Sequence, residues 1–189
     1  MKKIACIGWG SLIWKPELLP LAGEWREGGP ALPVEFARQS ENKRITLVIC
    51  PNRSRVPTRW AELDVPDVIT ARRALGLREW DRAPKNPRWI EENIGFWEQE
   101  TGASHGMEAA AIAAWAGTKR LDGVVWTNLP AKFNGVIGTL PTADEVVESL
   151  RSLDGKRRDL AEEYVRRAPR ELDTAYRKRI EQEFGWSCA

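Results

Sequence analysis

"IACIGWGSLIWKP", Ile4 to Pro16, decides how the chain is read. An apolar run, Ile4 to Ile7, meets Gly8-Trp9-Gly10-Ser11-Leu12, and Trp14 and Pro16 follow. A short apolar run bounded by a turn signal predicts a buried strand. Glycines just past a strand let the backbone turn sharply and expose successive N–H groups. Such a concavity suits an anion or a developing oxyanion, and Ser11 would add a hydroxyl. A tight turn that merely needs glycine accounts for the same residues, so a lone Gly-x-Gly leaves both readings open.

Outward from this stretch, the first third reads as strands. "LPVEFARQS", Leu32 to Ser40, alternates, and "RITLVICP" continues with β-branched residues from Ile45 to Ile49. "TRWAELDV" places Trp60, Glu62 and Asp64 on one face and Ala61, Leu63 and Val65 on the other. The pattern then turns helical. "PDVITARRALG" starts with Pro66 and is expected to stop at Gly76. "NPRWIEEN" offers Asn86 as cap and Pro87 at the first position, with Gly102 closing that helix. "MEAAAIAAWAG" predicts an alanine-rich helix ending at Gly117, and "GVVWTNLP", Gly123 to Pro130, returns to strand. Thr142 and Glu145 form a capping box before Val146, Val147 and Leu150. "KRRDLAEEYVRRA" and "LDTAYRKRIEQEFGW" follow as amphipathic helices separated by Pro169. Strands first and helices later predict an α+β fold, with a small, curved or barrel-like sheet and helices against it.

The bulk numbers set limits. The chain has 189 residues, enough for one domain with a proper core. Residues 1–189 are therefore read as a single domain, with 87–121 as a candidate insertion and 142–184 as C-terminal helices. Hydrophobic residues make up 42% and charged residues 30%, ordinary values for a globular protein. A net charge of +2 implies no strong field toward nucleic acid or a membrane surface. The mixed charges of the C-terminal helices read as solvated faces rather than a nucleic-acid surface. The apolar runs are too short to span a bilayer. No signal peptide is expected after Met1-Lys2-Lys3, and the expected location is the cytoplasm. Cys6, Cys50 and Cys188 lack metal-ligand spacing, and Cys6 and Cys50 sit in apolar runs as buried free thiols. Ten tryptophans are available to fill a core or line a small-molecule pocket.

Much chemistry is excluded. His105 is the only histidine, and its place in "GASHGME" suits a helix start better than a catalytic triad. No zinc spacing and no phosphate-binding glycine loop occurs, so neither a metal site nor a nucleotide fold built on such a loop is expected. Glu62, Asp64 and Asp122 lie in a predicted strand or at a strand edge, on an exposed face or pointing into a pocket, and Trp97 and Trp126 fit core or pocket equally well. Glu79, in "ALGLREWDRAP", sits just past the predicted end of a helix. It is either an ordinary surface charge or, with Trp80 drying its surroundings, a carboxylate tuned to act as a general base.

Four segments taken in order resemble the gamma-glutamylcyclotransferase superfamily, above all its ChaC-like branch. "IGWGSLIWKP" is similar to that branch's opening Gly-Tyr-Gly-Ser-Leu loop. "EFARQSENKRITLVI" resembles its Arg-aromatic-x-Gln-x-Ser stretch and following strand. "RWAELDVP" stands in the place of its Trp-Gly-Val-Ala-Tyr strand, and "ALGLREWD" resembles the segment that carries the catalytic glutamate. The likeness is good over about the first 83 residues and loose from Gly123 onward. It implies a mixed, partly closed barrel-like sheet with peripheral helices and a helical C-terminal region. It also implies an enzyme of transferase or lyase type that needs no cofactor and acts on a small-molecule gamma-glutamyl substrate. That substrate's α-amine attacks its own γ-carbonyl and gives 5-oxoproline. By the same resemblance Glu79 is the catalytic base. Gly8, Trp9, Gly10, Ser11 and Leu12 form the substrate cradle, and Arg38 and Gln39 assist. A binder on the same fold, or another amide transfer at the same site, are the alternatives. The sequence departs from the branch at three places. Trp9 stands where the motif has tyrosine, Trp80-Asp81-Arg82-Ala83 replaces a Gly-Gly-Tyr segment, and the stretch from Lys85 to Gly117 has no counterpart.

Overall fold

The computed structural model describes residues 2–79 and 87–188. Its elements run in the order β1 (Ile4–Gly8), β2 (Val34–Gln39), β3 (Ile45–Ile49), β4 (Arg59–Leu63), α1 (Val68–Glu79), α2 (Pro87–Asn93), β5 (Ile94–Glu98), β6 (Ser104–His105), α3 (Ala109–Lys119), β7 (Gly123–Thr127), β8 (Lys132–Phe133), β9 (Val136–Ile137), α4 (Ala143–Arg151), α5 (Gly155–Arg167) and α6 (Ala175–Phe184). The fold is α+β. Two compact units are interleaved along the chain: 1–8, 15–31 and 57–129 form the first, and 9–14, 32–56 and 130–189 the second.

The first unit is built on a five-stranded mixed sheet in the order β4-β1-β7-β5-β6. β1 runs antiparallel to β4 and parallel to β7. Alternation along β1 separates two faces. Ile4 and its partner Gly123 meet Val68 of α1, and glycine at 123 is what lets that side chain reach the sheet. Ile7 lies on the other face with its partners Trp60 and Trp126. There Trp115 of α3 meets Trp60 edge to face, with ring centroids 5.6 Å apart. Helices α1 and α3 thus cover opposite faces, which explains why all five residues of β1 are buried.

The second unit is built on a four-stranded mixed sheet, β3-β2-β8-β9. β2 pairs antiparallel with β3 through an irregularity between Phe36 and Arg38. Helices α4 and α6 pack together, and α6 also packs on β2. The predicted capping box is present: Glu145 N–H donates to Thr142 Oγ1 at 3.2 Å, and Thr142 N–H donates to Glu145 Oε2 at 2.7 Å. At α6, Thr174 caps in the same way through Arg177 N–H. Arg177 is itself buried, and its guanidinium donates to the carbonyls of Val165, Ala168 and Pro169 where α5 ends.

Several expectations change. Both ladders are open, so no closed barrel forms among the described residues. The β2–β3 hairpin pairs with β8 rather than extending the sheet of β1. Helix α1 does not stop at Gly76 but continues to Glu79. Gly76 lies mid-helix because a Cβ there would come within 2.8 Å of Ile90 on α2. The helix expected to run from Asn86 to Gly102 ends at Asn93, and β5 takes over from Ile94. Gly102, with φ of 69°, instead closes the turn after β5, where its N–H donates to the Glu98 carbonyl. The proposed cap Asn86 lies outside the described residues. Helix α3 runs past Gly117 to Lys119, and the left-handed closing residue is Arg120. His105 lies in β6 opposite Phe96 rather than at a helix start. Among the described residues, no helix is long and apolar enough to cross a membrane.

Candidate active site

Glu79 is the last residue of α1, on the helix that covers the Ile4 face of the first sheet. Its side chain is 14% exposed, and that of Arg78 is 8% exposed. Arg78 Nη1 donates to Glu79 Oε1 at 2.5 Å, while its Nε and Nη2 both donate to the Lys15 carbonyl at 3.1 and 2.8 Å. The guanidinium fork therefore fixes the carboxylate to the segment after β1. The charge reaches β1 itself. Burial first, and then the negative charge of Glu79, push the Cys6 thiol above its usual range, with Arg78 opposing. Cys6 is thereby kept as an inert thiol, not a nucleophile. Glu79 is thus a largely buried carboxylate held in one place by Arg78. Trp80, expected to dry its surroundings, lies outside the described residues, as do Asp81, Arg82 and Ala83.

Gly8 belongs with Glu79 in the first unit, where it closes β1 opposite Arg59. Trp9, Gly10, Ser11 and Leu12 belong to the second. Trp9 is buried, and its indole N–H donates to the Leu47 carbonyl on β3 at 3.2 Å. Gly10 is needed for space rather than for an unusual backbone angle. A Cβ at this position would strike the hydroxyl of Tyr164 from α5. That hydroxyl accepts the Leu47 N–H at 3.2 Å. Gly10 C=O accepts the Ile13 N–H at 2.9 Å, which closes the turn. Leu12 is buried and Ser11 half-buried. The side chains of Trp9 and Leu12 are thus committed to packing.

Arg38 and Gln39 stand in β2 of the second unit. Arg38 Nη1 donates to the Pro130 carbonyl at 2.7 Å. Gln39 is buried, and both ends of its amide are engaged. Nε2 donates to Ser149 Oγ at 2.9 Å, and Oε1 accepts the Asn134 N–H at 3.1 Å. Gln39 lies on the floor of a cleft of about 540 Å³ whose described lining includes none of the other expected site residues.

The remaining candidates resolve individually. Glu62 pairs with Arg26 at 2.9 Å, and Asp122 Oδ2 accepts the Lys3 N–H at 2.7 Å, so both are structural. Asp64 and His105 are exposed, Trp97 is half-buried, and Trp126 is a core residue. Among the described residues no group of His, Cys, Asp and Glu could hold a metal ion. Cys6, Cys50 and Cys188 are free thiols.

Sequence reasoning missed Glu35. It is buried in β2 and accepts from Phe36 N–H at 2.9 Å, Thr174 Oγ1 at 2.5 Å and Tyr176 N–H at 3.3 Å. It is an N-terminal anchor for α6, where the helix dipole favours an acid. Burial, the largest effect, raises its pKa above the ordinary glutamate value, with the hydrogen bonds from Thr174, Phe36 and Tyr176 opposing. Nearby, burial pushes the Cys50 thiol up to about 11. A carboxylate between Val34 and Phe36 in an otherwise apolar run was the available signal.

No protein-family model, curated protein or solved structure matches the chain.

Proposed function

We propose that the chain is a gamma-glutamylcyclotransferase-like enzyme that converts a gamma-glutamyl amine or peptide to 5-oxoproline, with Glu79 as general base. The observation that carries the reading is the state of Glu79. It is a largely buried carboxylate, fixed by Arg78 against the Lys15 carbonyl, at the position the resemblance gives to the catalytic acid–base. The α+β organisation and the turn directly after β1 agree with that reading.

The reaction needs few parts. The substrate's α-ammonium loses a proton to Glu79, and the amine nitrogen attacks the γ-carbonyl carbon of the same molecule. A ring C–N bond forms, the γ-amide C–N bond breaks, Glu79 returns its proton to the departing nitrogen, and the second proton shed by the ring nitrogen as it becomes an amide leaves on the released amine as an ammonium. Nucleophile and electrophile share one molecule, so folding them together replaces a bimolecular encounter. The packing of Trp9 and Gly10 favours a second reading, in which the turn is structural and the protein binds its ligand without turnover.

A panel of gamma-glutamyl amino acids, gamma-glutamyl amines and glutathione, followed by mass spectrometry of 5-oxoproline, separates the readings. Release by the wild type and loss of at least about a hundredfold in Glu79→Gln support the enzyme. Absence of release from every member, with the protein folded, refutes it. Release of the amine without 5-oxoproline indicates transfer to another acceptor.

A further inference from the structure

We propose that the second unit carries a separate binding site for a small organic anion, a carboxylate with an apolar body, in the cleft that Gln39 floors. The cleft is bounded by the turn after β2, the turn between β8 and β9, the exposed face of α4 and the first turn of α5. Its volume of about 540 Å³ falls within the roughly 300–1,000 Å³ typical of small-molecule sites.

The charges on its walls are unequal in availability. Three carboxylates of α4 line the cleft, and each is already engaged. Asp144 pairs with Arg179 at 3.0 Å, Glu145 accepts from Thr142 N–H and Oγ1 at 2.7 and 2.9 Å, and Glu148 pairs with Arg151. Lys43 and Arg157 line the same cleft from different elements. Among the described residues, neither side chain has an ion pair or hydrogen bond. Each carboxylate is thus held through one oxygen, whereas both cations are unpaired among the described residues. Phe133 and Leu153, both buried, line the same cleft with apolar side chains. Ser149 Oγ accepts from Gln39, which leaves its own proton to donate.

This combination selects a class. A cationic ligand would compete with Arg179 for Asp144 and with Arg151 for Glu148. A polyanion such as nucleic acid would meet three carboxylates on the same wall. A single small carboxylate would pair with Lys43 or Arg157 while its chain lies against Phe133 and Leu153. The site does not rest on the catalytic reading, because Glu79 is not among its lining residues.

Calorimetric titration of the full chain with hexanoate tests this, with hexanamide and inorganic phosphate as parallel probes. Backbone amide shifts locate the bound molecule. The expected result is saturable hexanoate binding with shifts at Phe133, Asn134 and Ser149, at least tenfold tighter than hexanamide or phosphate. The double variant Lys43→Gln/Arg157→Gln, both positions exposed, should weaken hexanoate at least tenfold and melt within a few degrees of the wild type. Glu79→Gln should bind hexanoate like the wild type. Any of four results overturns the proposal: no saturable binding, equal binding of hexanamide or phosphate, undiminished binding by the folded double variant, or shifts confined to other residues.

Discussion

Arg78 grips Glu79 and the Lys15 carbonyl at once, with Nη1 at 2.5 Å from Glu79 Oε1 and Nη2 at 2.8 Å from Lys15 O. Adjacent residues on a helix rarely face each other. Here the pairing is possible because Glu79 ends α1 and Arg78 reaches back to the segment after β1. The planar fork fixes where the carboxylate points, which makes Arg78 a positioning residue for the proposed base.

Arg78→Met should therefore lower kcat for 5-oxoproline formation by about tenfold or more and leave KM within about threefold. Arg78→Lys should recover only part of the loss, because one ammonium cannot reproduce two bonds to Lys15 and one to Glu79. Steady-state kinetics on the best panel substrate reads this directly. A Lys variant as active as the wild type would show that charge alone is needed. A rise in KM at unchanged kcat would place Arg78 on the substrate instead.

Gly10→Ala should destabilise the fold by about 1–3 kcal/mol, the usual cost of overpacking, because the new methyl meets the Tyr164 hydroxyl. Tyr164→Phe removes that oxygen but strands the Leu47 N–H, so it too should destabilise, by about 1–3 kcal/mol. The two changes should be sub-additive, since the second creates room for the first. Urea denaturation of the four proteins of the cycle measures the coupling. Strict additivity would show that Gly10 is required for something other than space.

The elements that the sequence made legible are those whose signals are local. The apolar run of β1 and the Thr142–Glu145 capping box need only a few neighbouring residues to act, and both formed where expected. Glycine misled because its meaning depends on what approaches it in space. Gly76 and Gly117 read as helix stops, yet each lies inside a helix. Ile94 to Glu98 read as helix because Gly102 was expected to close the helix that Asn86 and Pro87 start. Pairing with β7 on one side and β6 on the other converts that segment to strand, and tertiary pairing is invisible to periodicity. Among the expected site residues, Glu79 read as lying just past a helix and instead ends α1, and its grip by Arg78 was not legible. Trp9 could be placed in a turn, but its bond to Leu47, a residue 38 positions away, could not be read from spacing.

The packing role of Gly76 has its own test. In a wild-type background, Gly76→Ala gains helix propensity of about 1 kcal/mol and loses it again against Ile90, so little net change is expected. In an Ile90→Ala background the obstruction is gone, and Gly76→Ala should stabilise by about 1 kcal/mol. Thermal melts of both pairs give the comparison. Destabilisation in both backgrounds would restore the reading of Gly76 as a helix stop.

Glu35 predicts a pH dependence with a definite sign. Its folded pKa is raised, chiefly by burial, so the native state holds this proton to higher pH than the unfolded chain does. Where the native state binds more protons, stability falls as pH rises. The contribution of Glu35 should be fully present below the ordinary glutamate value of about 4.3 and should decline as pH climbs through the folded value. Glu35→Gln cannot ionise and should lack this decline. It keeps an oxygen for Thr174 but loses an acceptor for one backbone N–H of its cluster, so it should be less stable than the wild type at low pH. The gap should then narrow toward neutrality. Urea denaturation of both proteins at intervals from pH 4 to pH 8 measures the difference as a function of pH. A gap that widens with pH would mean that the hydrogen bonds from Thr174, Phe36 and Tyr176 outweigh burial, and that the cluster is built to hold a carboxylate rather than an acid.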